Sequence, residues 1–284
     1  MFAAIGFSAK AIMVKLAYSE PIDALTLLTL RMAFSAPIFL AVALWSGRQT
    51  HRVALTRKDW LAILVLGLIG YYLSSLLDFT GLQYVSAGLE RLILFLYPTL
   101  VVLLTAVLFK QRFGRREINA LVISYLGIAL VYSQDAQHGD AQVALGASLI
   151  FLSTLTYSLY LVGAGYFIAR IGTIRFTAYA MTVASAATLL QFGLTHPLAA
   201  LKVSTRIYSL GLGMAVLSTV LPVFMLSAGM RLIGSGRTAM IGSLGPVSTI
   251  LLAHWILGET LSAPQIGGLV LVLTGVWVIS RARP

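Results

Sequence analysis

The sequence contains no cysteine, and only nine acidic residues and four histidines in 284 positions. Without cysteine there are no disulfides, no thiol catalysis and no thiolate metal site. His51, His138 and His196 fall in expected loops, and His254 stands alone near a helix end. No H-E-x-x-H, G-x-S-x-G or P-loop is present, so nothing points to an intramembrane hydrolase, a metal centre or an ATP-driven pump. No cofactor is expected and the protein is read as a non-enzyme. Charge is also scarce. Asp, Glu, Lys and Arg together make up 10% of the chain, against about 25% in a soluble domain. That excludes a water-soluble enzyme, a disordered chain and a secreted disulfide scaffold.

What the chain has instead is apolar length. Hydrophobic residues account for 59% and the mean hydropathy is +0.92, which predicts a polytopic membrane protein. The net charge of +11 does not imply nucleic acid. Its Lys and Arg sit in small groups between apolar runs, as in cytoplasmic loops facing anionic lipid, whereas a polyanion-binding surface gathers them on one face. The chain opens inside an apolar stretch at Met1-Phe2-Ala3-Ala4, with neither a basic leader nor a small-residue cleavage site, so it is read as a first membrane helix and not a signal peptide.

A bilayer-crossing helix needs roughly 20 mostly apolar residues. The chain offers ten candidates, at about 1–18, 24–46, 59–80, 84–109, 115–133, 143–167, 173–193, 206–230, 235–257 and 262–281. With the N-terminus inside, the cytoplasmic loops and C-terminus hold fourteen basic residues: Arg48, Arg52, Arg57, Lys58, Lys110, Arg112, Arg115, Arg116, Arg170, Arg175, Arg231, Arg237, Arg281 and Arg283. The opposite loops hold two, Lys202 and Arg206, with Glu20, Asp23, Asp135, Asp140 and Glu259. This bias predicts a multi-pass protein of the inner membrane with both termini cytoplasmic.

Self-comparison shows an internal repeat. Displaced by 148 positions, Gly81 falls on Gly229, Gly88 on Gly236, Pro98 on Pro246, Leu121 on Leu269 and Gly127 on Gly275. Val85-Ser86-Ala87-Gly88 lies over Ile233-Gly234-Ser235-Gly236, and Tyr97-Pro98-Thr99 over Gly245-Pro246-Val247. Two repeats, 1–133 and 134–284, each carry five helices. Five is odd, so the second enters the membrane from the opposite side, the inverted arrangement that suits alternating access in secondary transporters.

The run Gly81-Leu82-Gln83-Tyr84-Val85-Ser86-Ala87-Gly88, followed by Leu96-Tyr97-Pro98, resembles the fourth-helix motif of the EamA-type drug/metabolite transporter superfamily. Leu244-Gly245-Pro246, then Leu257-Gly258-Glu259-Thr260-Leu261 with Gly267 and Gly275, resembles that family's second-repeat signature. The resemblance implies an all-α, ten-helix basket around a central cavity lined by the first, third and fourth helices of each half. It also implies transport of amino acids, other small metabolites, nucleotide-sugars or drugs. Gly258-Glu259 departs from the first half, which has Lys110-Gln111, so Glu259 is expected to cap a helix or sit at the interface.

Polar residues inside spans mark faces turned toward protein or water. Tyr71, Ser74, Ser75 and Asp78 share one helical face by spacing, and Glu90, Leu94, Tyr97 and Pro98 make another. Ser8, Ile12 and Lys15 on helix 1, Ser153, Tyr157 and Tyr160 on helix 6, and Thr219 and Pro222 on helix 8 add to them. Pro98 and Pro246 each delete a helical hydrogen bond at the same point of both halves, a duplicated break that leaves carbonyls free beside the cavity. Glu90 is expected about 9 Å inside helix 4. With Asp78, Lys10, Lys15, Arg31 and Arg91 it forms a mixed-charge layer in the outer half, suited to a zwitterion. Arg31 and Arg91 are expected to brace the helices, Lys15 to snorkel, and Tyr18, Tyr132 and Tyr208 to sit in interfacial belts.

These readings converge on a secondary transporter, acting as a monomer among membrane lipids and exporting amino acids with aromatic or hydrophobic side chains. The expected substrate contacts are Ser8, Tyr71, Ser75, Asp78, Glu90, Leu94, Tyr97, Pro98, Tyr157, Thr219 and Pro246. An exporter of cationic drugs or other metabolites is the alternative, followed by a flippase for lipid-linked substrates. A channel fits an inverted-repeat monomer poorly. Glu90 and Asp78 can carry a proton, and uncoupled diffusion fits the same residues.

Overall fold

Polar caps set where several helices begin. The computed structural model describes residues 2–47, 53–108, 115–136, 140–225 and 244–280. Within them Asp23 accepts the Thr26 N–H at 2.9 Å and opens α2 (Ala24–Gly47). Thr56 and Asp59 form a reciprocal capping box on α3 (Arg57–Gly81). Ser86 caps α4 (Ala87–Leu108) through the Leu89 N–H, and Ser204 caps α8 (Thr205–Met225) through that of Ile207. Each cap satisfies a backbone donor that the first helical turn leaves unpaired. The other helical segments are α1 (Phe2–Ala17), α5 (Arg115–Ala136), α6 (Asp140–Ile171), α7 (Thr173–Thr195), α9 (244–257) and α10 (Ala263–Ser280). Gly172 alone joins α6 to α7, at φ 92°, a region that L side chains rarely enter.

No strand occurs among the described residues. Five helices are long and apolar enough to cross a membrane: α2, α3, α4, the stretch Ala141–Ile171 of α6, and α8. Shorter apolar helices cover Ile118–Gln134, Gly245–Leu257 and Ala263–Val278. The surface is apolar, with Leu194, Trp255 and Tyr166 each at least 70% exposed. The interior holds Ser8, Thr26, Asp59, Glu90, Thr154 and Ser158, all buried. A water-soluble monomer does not expose apolar surface on this scale; a protein solvated by lipid does.

Four spans are not the uniform helices expected from the sequence. α3 contains a π-turn at Leu68–Leu73 and α8 one at Val216–Val220, positions that begin 148 residues apart, and α9 ends in one at Ala253–Leu257. α4 bends at Phe95 and Leu96, where the Leu96 N–H bonds to the Ile93 carbonyl at 3.0 Å, before Tyr97 restarts the helix. Pro98 is the cause, because it cannot donate to the carbonyl of Leu94. α4 also begins at Ala87 instead of 84, and α6 is longer than expected at 32 residues.

Packing repeats the 148-residue relation. α2 lies along α7 and α5 along α10; α1 packs on α8 and α9, while α6 packs on α3 and α4. Where α5 crosses α10, a Cβ on Gly127 would come 2.7 Å from the Gly268 carbonyl oxygen, and one on Gly275 2.6 Å from that of Ala120. Gly275 and Gly268 are Gly127 and Ala120 displaced by 148, so the contact is self-complementary. The second-copy segment Ile233-Gly234-Ser235-Gly236, Gly229, and the loop cations Arg48, Arg52, Lys110, Arg112, Arg231, Arg237, Arg281 and Arg283 lie outside the described residues.

Candidate functional site

α1, α3 and α4 bring three charges into contact. Lys10 Nζ lies 2.5 Å from Asp78 Oδ2 and 2.9 Å from Glu90 Oε1. Glu90 is fully buried, Asp78 nearly so, and Lys10 retains 13% side-chain exposure. Because α4 starts at Ala87, Glu90 sits in its first turn, about 4.5 Å along the helix axis from Ala87, not the 9 Å expected. An unpaired charge in this setting costs several kcal/mol, and one ammonium shared by two carboxylates offsets part of it, with both Glu90 oxygens left without a hydrogen-bond partner among the described residues.

The four polar positions of α3 do not share one partner. Tyr71 and Ser74 meet α6, through Tyr160 (hydroxyl to hydroxyl, 3.1 Å) and Ser153 (3.0 Å). Ser75 accepts from Arg31 Nη2 of α2 at 2.8 Å, and Asp78 faces Lys10 of α1. Ser74, Ser75 and Asp78 follow one another on the regular helix after the π-turn, and α3 is packed between several helices, so positions spread about 100° per residue meet different neighbours. Thr219, in the corresponding π-turn of α8, donates to the Met214 carbonyl at 3.0 Å and is buried. Its hydroxyl serves the backbone of its own helix.

Beside the charges lies an aromatic group. The Tyr71 ring is 6.4 Å from that of Tyr157 and 4.8 Å from that of Tyr160, and Tyr97 lies edge-on to Tyr157 at 6.1 Å. The structure thus unites Tyr71, Tyr97 and Tyr157, and adds Tyr160. Leu94 is half-buried in the adjoining apolar cluster. These rings give flat apolar walls with polar hydroxyl rims.

Hydroxyls of neighbouring helices meet carbonyls beside both prolines, while the carbonyl that Pro98 deprives of its donor is that of Leu94, and its counterpart Gly242 lies outside the described residues. Ser158 of α6 approaches the Tyr97 carbonyl at 3.4 Å, and Thr154 that of Ile93 at 3.4 Å. Across the bundle, Ser8 of α1 donates to the Gly245 carbonyl at 2.9 Å, with Thr249 at 3.1 Å. Tyr97 and Gly245 are 148 positions apart and each immediately precedes its proline. Pro98 and Pro246 therefore shape the helices, while hydroxyls of the neighbouring helix occupy the carbonyls beside them. Arg31 braces as expected, with its guanidinium 4.7 Å over the Phe79 ring. Arg91 does not: among the described residues no carboxylate lies within ion-pair distance of it.

The EamA-like transporter family profile matches residues 1–133 and 144–281. The chain belongs to that family. It is 33% identical over 279 residues to an uncharacterized transporter of Bacillus subtilis, YcbK, covering 95% of this chain and 88% of that one. A second B. subtilis protein, the uncharacterized transporter YyaM, is 24% identical over 253 residues, 88% of this chain and 82% of its own. One crystal structure superposes over 97% of this chain and 95% of its own, with a TM-score of 0.66 at 20% identity, which shows a shared fold. The protein is an EamA-like membrane transporter and not an enzyme.

In this EamA-like chain Glu259 has the capping role expected of it. Its carboxylate accepts from the N–H groups of Ala87 at 2.9 Å and Gly88 at 3.3 Å, closing the N-terminus of α4 from the other half. Lys15 reaches the Leu82 carbonyl at 3.2 Å. Sequence reasoning left Lys10 and Tyr160 out of the expected substrate contacts. Lys10 carried a signal, since an intramembrane cation needs a partner. Tyr160 carried its spacing from Tyr157, one turn earlier on α6.

Proposed function

We propose that this chain is a ten-span exporter of amino acids, including aromatic and hydrophobic ones. Two inverted five-helix repeats, 1–133 and 134–284, would alternate access around the site in the inner membrane, with both termini cytoplasmic. Three relations support the repeat: caps at Thr56 and Ser204, π-turns beginning at Leu68 and Val216, and the self-complementary α5–α10 crossing. The bias of Lys and Arg supports the orientation.

The observation that carries the substrate class is Lys10 between Asp78 and Glu90. A cation carrier needs a buried acid without a matched base; here Lys10 pairs with both acids, and Arg31 and Arg91 of the same layer supply the base that the second acid still needs. That favours a zwitterion over the cationic-drug alternative, and the tyrosine group beside it favours aromatic or apolar side chains. The test is uptake of labelled phenylalanine, threonine, methionine and lysine into proteoliposomes preloaded with unlabelled amino acids, with and without a pH gradient. Saturable exchange that Tyr97→Ala abolishes is the expected result. Indifference to the gradient would identify facilitated diffusion, and dependence on it proton coupling. No uptake of any amino acid by folded protein would overturn the proposal.

A further inference from the structure

The charges of the site do not cancel. Lys10, Lys15, Arg31 and Arg91 share the layer with Asp78 and Glu90, and Glu259 brings a third carboxylate to the start of α4, four cations against three anions. Lys10 is committed to both carboxylates, at 2.5 and 2.9 Å. Arg31 is buried, bonded to Ser75 and stacked on Phe79. Arg91 alone has no such commitment among the described residues. Its Nε, like that of Arg31, is sealed from solvent without a hydrogen-bond partner, but Arg91 lacks the side-chain hydrogen bond and ring contact that Arg31 has.

Its surroundings give the guanidinium a defined seat. The first turns of α4 pack against α1, α6 and α9, yet Arg91 keeps partial exposure. On α9, a Cβ added to Gly245 would lie 3.3 Å from Arg91 Cζ and 3.4 Å from Nε, and closer still to Nη2. Gly245 therefore leaves the room in which the guanidinium lies, and Ser8 holds that backbone in place through its carbonyl.

We propose that Arg91 is the anchor for a substrate carboxylate, so that the transported molecule must carry a free carboxylate group. The inference rests on the amino-acid reading above and deepens it. A planar fork of donors matches a carboxylate in bidentate geometry. The surplus of a single positive charge fits a monovalent carboxylate better than a dianionic phosphate, which Glu90 beside it would also repel. The tyrosine group one to two turns further along α4 then receives the side chain.

The test is competition against labelled phenylalanine exchange in proteoliposomes of the wild-type protein. The competitors are 3-phenylpropionate, phenylalaninamide, phenethylamine and inorganic phosphate. 3-Phenylpropionate should compete, while the amide and the amine should be weaker by about 10- to 100-fold, the range of a charged hydrogen bond; phosphate should not compete. Arg91→Met should erase the preference for acid over amide, and Arg91→Lys should restore part of it. Gly245→Ala, which displaces the guanidinium without removing it, should raise KM for phenylalanine with the fold retained. Equal competition by acid and amide in the wild type would overturn the inference while leaving the transport of amino acids intact. A preference for acid over amide that survives in Arg91→Met would also overturn it. If no amino acid is carried at all, the amino-acid reading fails by itself. The anchor is then decided by thermal stabilisation of detergent-purified wild type and Arg91→Met with 3-phenylpropionate. Stabilisation confined to the wild type upholds it, and equal or absent stabilisation overturns it.

Discussion

Glu259 closes the start of α4 from the opposite half of the chain, its Oε1 2.9 Å from the Ala87 N–H. The helix that carries Glu90, Arg91 and Tyr97 is thus tied to the second half of the chain at the very turn where the charges sit. A carboxylate there satisfies two unpaired donors and opposes the positive end of the helix dipole. Glu259→Ala should destabilise the protein by about 1 kcal/mol. Glu259→Gln, which keeps an acceptor, should cost less. Thermal unfolding followed by size-exclusion chromatography would rank the two; equal losses would remove the capping role.

The ion triad should behave as a unit. Lys10→Met leaves two neighbouring buried carboxylates without a partner and should cost about 3 to 5 kcal/mol, the range for breaking a buried pair. Adding Asp78→Asn and Glu90→Gln to Lys10→Met should recover much of that loss, because no uncompensated charge remains. A cycle of unfolding measurements in one detergent tests this, and strict additivity would contradict the shared ion pair.

The α5–α10 crossing should tolerate no side chain. Gly127→Val and Gly275→Val each drive a branched side chain toward a backbone oxygen that is already within 2.7 Å of an added Cβ. Each should cost more than the roughly 1 to 3 kcal/mol of ordinary overpacking, since backbone cannot rotate away. Gly193→Ala is the control. Nothing lies within 4 Å of its added Cβ, so the better helix former should be neutral or mildly stabilising. Yields of monodisperse protein would separate the two classes.

Asp23 adds an acid-side pH dependence. Partial burial pushes its carboxyl up, but the hydroxyl and N–H of Thr26, with His196 at 3.7 Å, outweigh that and hold it below its ordinary value. A group depressed in the folded state contributes its stability above the unfolded value of about 3.9 and loses it as pH falls through the folded one. Asp23→Asn should therefore lower the unfolding temperature at neutral pH and bring it level with wild type in strong acid. A difference that persists unchanged at low pH would contradict this.

Much of the site was legible in residue types, and less of it in their arrangement. Asp78, Glu90, Lys10 and the tyrosines stood out because charge and hydroxyl groups are costly in an apolar span. Their partners did not. Spacing put Tyr71, Ser74, Ser75 and Asp78 on one face, but α3 is packed among several helices and these residues meet α6, α2 and α1, and the π-turn at Leu68–Leu73 was not visible at all. A π-turn leaves no simple mark in the sequence, because it depends on what packs against the helix. Here that is Tyr160 of α6, whose ring fills the space where a Cβ on Gly70 would sit. Pro98 and Pro246 were visible as breaks, but the hydroxyls of Ser158 and Ser8 that take the neighbouring carbonyls come from helices 61 and 237 residues distant.

Apolar composition and local hydrogen bonding act residue by residue, so the lipid surroundings, the helical class and the 148-residue self-similarity could be read along the chain. That Lys10 serves both acids, that Arg31 is bonded to Ser75 over Phe79, and that Arg91 is left beside Gly245 came from the packing of the helices. Those outcomes depend on how distant helices rotate and approach, to within an ångström, and Coulomb and hydrogen-bond energies change steeply over that distance.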